Sequence, residues 1–124
     1  MRIFKNKWFA RFARKEGITD QQLINAVAEV ESGKIDANYG GGVIKHRIAR
    51  AGGGKSGGYR SIILYIRGSS AYFAYDFSKN DRDSLRKDEE VHFKKLANLT
   101  KNLSEEEIST LLRNGTYEEV ENDG

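Results

Sequence analysis

The chain contains no cysteine and no proline. Without thiols there is no disulfide scaffold, no thiolate zinc site and no cysteine nucleophile. Only two histidines occur, His46 and His92, on separate segments and without a His-Glu motif, too few for a hydrolytic metal centre. No serine stands in a nucleophile elbow. No apolar run approaches the roughly 20 residues of a membrane span. The N-terminal MRIFKNKWFARFARK lacks the apolar core and cleavage site of a secretory signal. A cytoplasmic protein with no cofactor and no membrane partner is the expectation. What is present suffices for one hydrophobic core: 124 residues, 38% apolar and 10% aromatic. A single domain is expected over residues 1–115, with 116–124 an acidic, disordered tail.

Acidic residues are missing from one long stretch. Between Asp36 and Asp76 there is none, while Lys45, Arg47, Arg50, Lys55, Arg60 and Arg67 all fall inside. Residues 1–60 hold twelve Lys and Arg against five Asp and Glu, and residues 61–124 hold nine against thirteen, so the net +3 hides halves of +7 and −4. A one-signed segment focuses potential and attracts polyanions, of which phosphodiester backbones are the commonest. The alternative is that these bases pair with the acidic C-terminal half. Eight of the thirteen glycines lie in the same region, between Gly40 and Gly58, where they break regular structure and allow close backbone approach.

The periodicities predict an order β-α-α-β-β-β-α-α. Arg2–Lys7 reads as a strand. Trp8, Phe9, Phe12 and Ala13 recur at helical spacing up to Gly17. Thr19 and Gln22 form a capping box for a second helix with Leu23, Ile24, Val27 and Val30 inward. Val43–Ala51 alternates, so Ile44, His46, Ile48 and Arg50 face one way and Lys45 and Arg47 the other. Tyr59–Arg67 reads as a central strand and pairs in a hairpin with Ala71–Ser78. Asn80 or Asp81 is positioned to cap a third helix, and Ser104 with Glu107 caps a fourth that stops at Gly115.

Ala49-Arg50-Ala51-Gly52-Gly53-Gly54-Lys55-Ser56 fits a loose phosphate-loop pattern, with Ala for the first Gly. That loop works only where a helix follows Lys-Ser, bringing its N-terminal amides to the phosphates. Here Gly57-Gly58 and a strand follow, so a nucleotide triphosphatase is rejected. Cleavage of RNA needs none of the absent groups, because the ribose 2′-hydroxyl can serve as nucleophile. The protein then supplies cations for the phosphorane's charge, with a base and an acid of suitable pKa. Lys45, Arg47 and Arg60 are the candidates by facing and by charge isolation. Mutation of Lys45 or Arg60 to Ala is expected to leave the fold intact, both being read as solvent-facing.

Lys45-His46-Arg47, the glycine-rich turn, Gly58-Tyr59-Arg60 opening an apolar strand, and Phe77-Ser78-Lys79-Asn80 closing the last strand carry a resemblance. Over roughly residues 1–100 the chain resembles the RelE/ParE superfamily of type II toxins, closest to RelE/HigB-like members in which Lys-Ser-Gly-Gly-Tyr-Arg precedes the third strand. The resemblance implies an α+β fold: a small twisted antiparallel sheet on two N-terminal helices, with a basic concave face. It implies a ribosome-dependent, metal-independent endoribonuclease that cuts mRNA in the ribosomal A site, touches ribosomal RNA and is held by a helix-turn-helix antitoxin. It assigns catalysis to Lys45, Arg47, Arg60 and Lys79. Arg50, Lys55, Tyr59 and Tyr75 are candidates for RNA or ribosome contact, with solvation of Lys55 and core packing of the tyrosines as the structural alternatives. Tyr117, in the expected tail, is not given the terminal-tyrosine role found in some members. Two other readings stand beside it, a ParE-like non-catalytic inhibitor of DNA gyrase and an RNA-binding module.

Overall fold

The computed structural model describes residues 1–48, 58–78 and 82–120. The chain opens with β1 (Arg2–Asn6), which passes without a loop into α1 (Lys7–Glu16). Asn6 makes that junction. Its Oδ1 accepts from the Phe9 amide at 2.8 Å as N-cap, and its Nδ2 donates to the Ala74 carbonyl at 2.9 Å. Gly17, at φ +71°, closes α1 in the left-handed conformation. Thr19 and Gln22 form the expected reciprocal cap of α2 (Asp20–Glu31).

Strands β2 (Ala37–Gly40), β3 (Val43–Ile48), β4 (Tyr59–Ile66) and β5 (Ser70–Ser78) follow, then α3 (Lys87–Lys101), α4 (Glu105–Arg113) and β6 (Tyr117–Glu119). The six-stranded sheet runs β2-β3-β4-β5-β1-β6. It is mixed, not antiparallel as expected, because β1 lies parallel to β5 with Ile3 opposite Ala71. The two helices after β1 carry the chain across one face to the far edge, where β2 starts; the return to β1's side comes only through β5.

Two elements escaped the sequence reading. Strand β2 is short and polar (ANYG) and pairs with β3 across Gly41 and Gly42, both at positive φ. Strand β6 corrects the expectation of a disordered tail through Val120. Tyr117–Glu119 pairs antiparallel with β1, Arg2 clasps Glu119 with two bonds of 2.9 and 3.0 Å, and the buried Val120 donates its amide to the Ile3 carbonyl. An uncovered β1 edge is what that segment satisfies. Helix α3 also starts later than expected, at Lys87, where the Arg86 amide donates to Glu89; Asn80 and Asp81 lie outside the described residues.

The sheet is covered on both faces. Ile3, Phe9, Leu23, Val27, Ile44, Ile63 and Phe73 fill the side of α1 and α2. Phe4, Val43, Ile62, Leu64, Tyr72, Phe77, Leu85 and Phe93 fill the side of α3 and α4. A register shift opposite Ile62 and Ile63 lets β5 present Phe73 and Asp76 to the same face, which simple alternation forbids.

Candidate functional site

Strand register fixes which basic side chains meet. Lys45 stands opposite Ile62, Arg47 opposite Arg60, and Arg60 opposite Phe77. Alternation therefore sends Lys45, Arg47, Arg60, Tyr75 and Phe77 to one face, the face that α3 partly covers. Two arginines directly opposed across a strand pair repel each other, an arrangement that an anion between them would relieve.

The three cations differ in surroundings. Arg60 is 3% exposed, and its Nη1 donates to the Gly58 carbonyl at 3.4 Å; among the described residues no carboxylate bonds to it. Lys45 is 8% exposed, with Nζ donating to the Asp83 carbonyl at 2.5 Å. Arg47 remains half-exposed at the sheet edge, where its Nε reaches Asp36 at 3.2 Å. The expectation that Lys45 and Arg60 face solvent is thus corrected: the segment before α3 lies over Lys45, a long-range contact that local alternation does not encode. Pairing with the acidic half does occur, but at Arg2 (Glu105, Glu119) and Arg14 (Glu118), away from this face.

Tyr75 joins the cationic face. Its hydroxyl accepts from Arg82 Nη2 at 3.2 Å, and its ring contacts Trp8 at 4.7 Å and Phe93 at 5.9 Å. Arg82, absent from the sequence candidates, grips Glu89 through both terminal guanidinium nitrogens, Nη1 and Nη2, and lies 5.0 Å over the Phe77 ring and 5.7 Å over Tyr75. That ion pair holds the Glu89 carboxyl below the ordinary carboxylate range and the Arg82 guanidinium above its own. The pair is seven residues apart but joined across a non-helical turn, so no periodicity announced it.

Tyr59 goes elsewhere. It is buried on the opposite face, edge-on to Phe12, with its hydroxyl donating to Glu16 at 2.5 Å, which corrects its candidacy for RNA contact. Arg50, Lys55 and Lys79 lie outside the described residues, as does the loop-like motif at 49–56; the chain that follows runs into β4, not into a helix.

Behind Arg60, on the α1–α2 side, a polar row crosses three strands: His46, Ser61 and Asp76 stand in register. Ser61 Oγ donates to Asp76 Oδ2 at 2.6 Å, and His46 Nε2 meets Glu29 at 3.3 Å. His46 is, as its facing predicted, a buried histidine of that side. Burial pushes the Asp76 carboxyl up to about 8 against the pull of the Ser61 hydroxyl, so it is protonated at neutral pH. Among the described residues, no three His, Asp or Glu side chains gather as a metal ion would require.

A mixed sheet between helical layers, with opposed arginines on one face, defines a small α+β protein with a cationic sheet surface. The family model described as the RelE toxin of the RelE / RelB toxin-antitoxin system matches residues 1–120, and the chain belongs to that family. It is accordingly a toxin-family protein, and the family implies an antitoxin as its partner. Among curated proteins no match to the chain is found. Among the described residues no helix is long and apolar enough to cross a membrane.

Proposed function

We propose that the chain is a ribosome-dependent endoribonuclease that cuts mRNA in the A site through the ribose 2′-hydroxyl. The observation that carries this reading is the Arg47–Arg60 opposition with Lys45 on the same face. Cations set so close repel unless an anion lies between them, and a scissile phosphate is such an anion. The 2′-oxygen forms a bond to the adjacent phosphorus as the bond to the 5′-oxygen breaks. One proton leaves the 2′-hydroxyl and another reaches the departing 5′-oxygen. Arg47 and Arg60 neutralise the phosphorane's equatorial oxygens, Arg60 from a site with little water, where charge interacts most strongly. Lys45, held by the Asp83 carbonyl, and Lys79 complete the cationic set, while Tyr75 and Arg82 border it. Arg50 and Lys55 are assigned to contact with RNA or the ribosome.

The test is to induce the chain in cells and map RNA 5′ ends. Cuts confined to translated frames, lost in Arg47→Gln while circular dichroism and Tm stay unchanged, support the reading. Arg47 is the informative variant because it is half-exposed, whereas truncation of Arg60 also empties a buried position. Intact transcripts with a DNA-damage response would replace this reading by inhibition of gyrase.

A further inference from the structure

Helix α1 carries an outer face that nothing in the fold requires. Lys7, Arg11 and Lys15 recur at i, i+4 and i+8, forming one cationic line along the helix, and all three are exposed. Among the described residues none of them has a carboxylate partner, and the first turn of α1 holds no acidic residue. Like charges at this spacing repel, and a lysine at a helix N-terminus opposes the macrodipole. Beside that line runs an aromatic one. Trp8 is 41% exposed and lies flat on Phe12, with ring centroids 5.3 Å apart and planes 10° from parallel. Its other neighbour is Tyr75, at 4.7 Å, a residue of the cationic sheet face.

We propose that this face of α1 is a track for single-stranded RNA that continues from the sheet-face site around the edge of β5. The proposal rests on the nuclease reading for its occupant. Lys7, Arg11 and Lys15 contact successive phosphates, and the exposed part of the Trp8 indole, held between Phe12 and Tyr75, stacks on a base. The path is continuous: Arg47, Arg60, Phe77, Tyr75 and Trp8 are each neighbours of the next by strand register or ring contact. The chemistry favours a polyanion with flat bases over an apolar partner helix, because the large exposed apolar group here is one indole within a cationic line. The acidic groups nearby, Glu16 at the end of α1, Glu89 and Glu118, are engaged by Tyr59, Arg82 and Arg14.

Trp8 is the single tryptophan of the chain, so its emission reports on this surface alone. The full-length protein is titrated at low salt with an unstructured 2′-O-methyl oligoribonucleotide, which binds as RNA but lacks the attacking hydroxyl. The expected result is quenching of Trp8 emission. In Lys7→Gln/Arg11→Gln/Lys15→Gln, affinity drops at least about tenfold and the slope of log K against log salt falls by about 2. Trp8→Leu, which carries no tryptophan and is therefore followed by the fluorescence anisotropy of the same oligonucleotide carrying a terminal dye, weakens binding about tenfold with the slope unchanged. No quenching, or quenching with an unchanged slope in the triple variant, overturns the proposal. It is equally overturned if the triple variant binds the oligonucleotide normally but escapes neutralisation by the antitoxin, which makes α1 the antitoxin's surface. Failure here with Arg47-dependent cuts still mapped in cells removes the track alone. Binding on α1 with uncut transcripts removes the nuclease reading alone.

Discussion

Asp76→Asn should make the protein more stable, and increasingly so as pH rises. Asp76 is 3% exposed; Oδ2 accepts from Ser61, while Oδ1 has no hydrogen-bond partner among the described residues. In the native state it holds its proton up to about pH 8, against 3.8 for the free group. A raised folded-state pKa means that this group's contribution to stability is complete below about pH 3.8 and is lost progressively up to about pH 8. In that window the native state binds one proton more than the unfolded state, so stability falls by about 1.4 kcal/mol per pH unit. Asn keeps an acceptor for the Ser61 hydroxyl and cannot ionise. Between about pH 5 and about pH 8 the variant should therefore gain roughly 4 kcal/mol on the parent, other titrating groups cancelling in the comparison. Urea unfolding at several pH values, with equal m-values, reads this directly. Parallel stability curves for the two proteins would refute the reasoning, since they would mean that Asp76 is ionised in the fold or is reached by water.

Other substitutions probe the frame that holds the site. Asn6→Ala removes both the α1 cap and the bond to the Ala74 carbonyl, so thermal unfolding should report a loss of about 2 kcal/mol. Truncation after Gly115 deletes β6, the Arg2–Glu119 pair and the burial of Val120, and should cost at least about 3 kcal/mol and expose the β1 edge. An unchanged Tm together with unchanged light scattering would return residues 116–120 to the status of a tail.

Local rules reached far into this structure. Both capping boxes, Thr19 with Gln22 and Ser104 with Glu107, fall where the residue pattern put them, because a cap is settled within one helical turn. The side shared by Lys45 and Arg47 was legible for the same kind of reason: alternation along a strand is a property of neighbouring residues. Strand β2 was not legible, since four polar and small residues carry no period, and β6 was hidden in an acidic stretch whose apolar members, Tyr117 and Val120, meet residues of β1 and β5 that lie far away in the sequence.

What the sequence determined by itself was the kind of surface: an acid-free, glycine-rich, cationic span whose alternating arms point to one side of a sheet. What only the tertiary structure decided was how that surface is used. It set Arg60 against Arg47, buried Lys45 under the Asp83 carbonyl, withdrew Tyr59 to the opposite core and laid Trp8 against Tyr75. Periodicity fixes the side toward which a residue points, but its exposure and charge environment come from segments distant along the chain. Those segments meet it only when the whole apolar surface has found its burial.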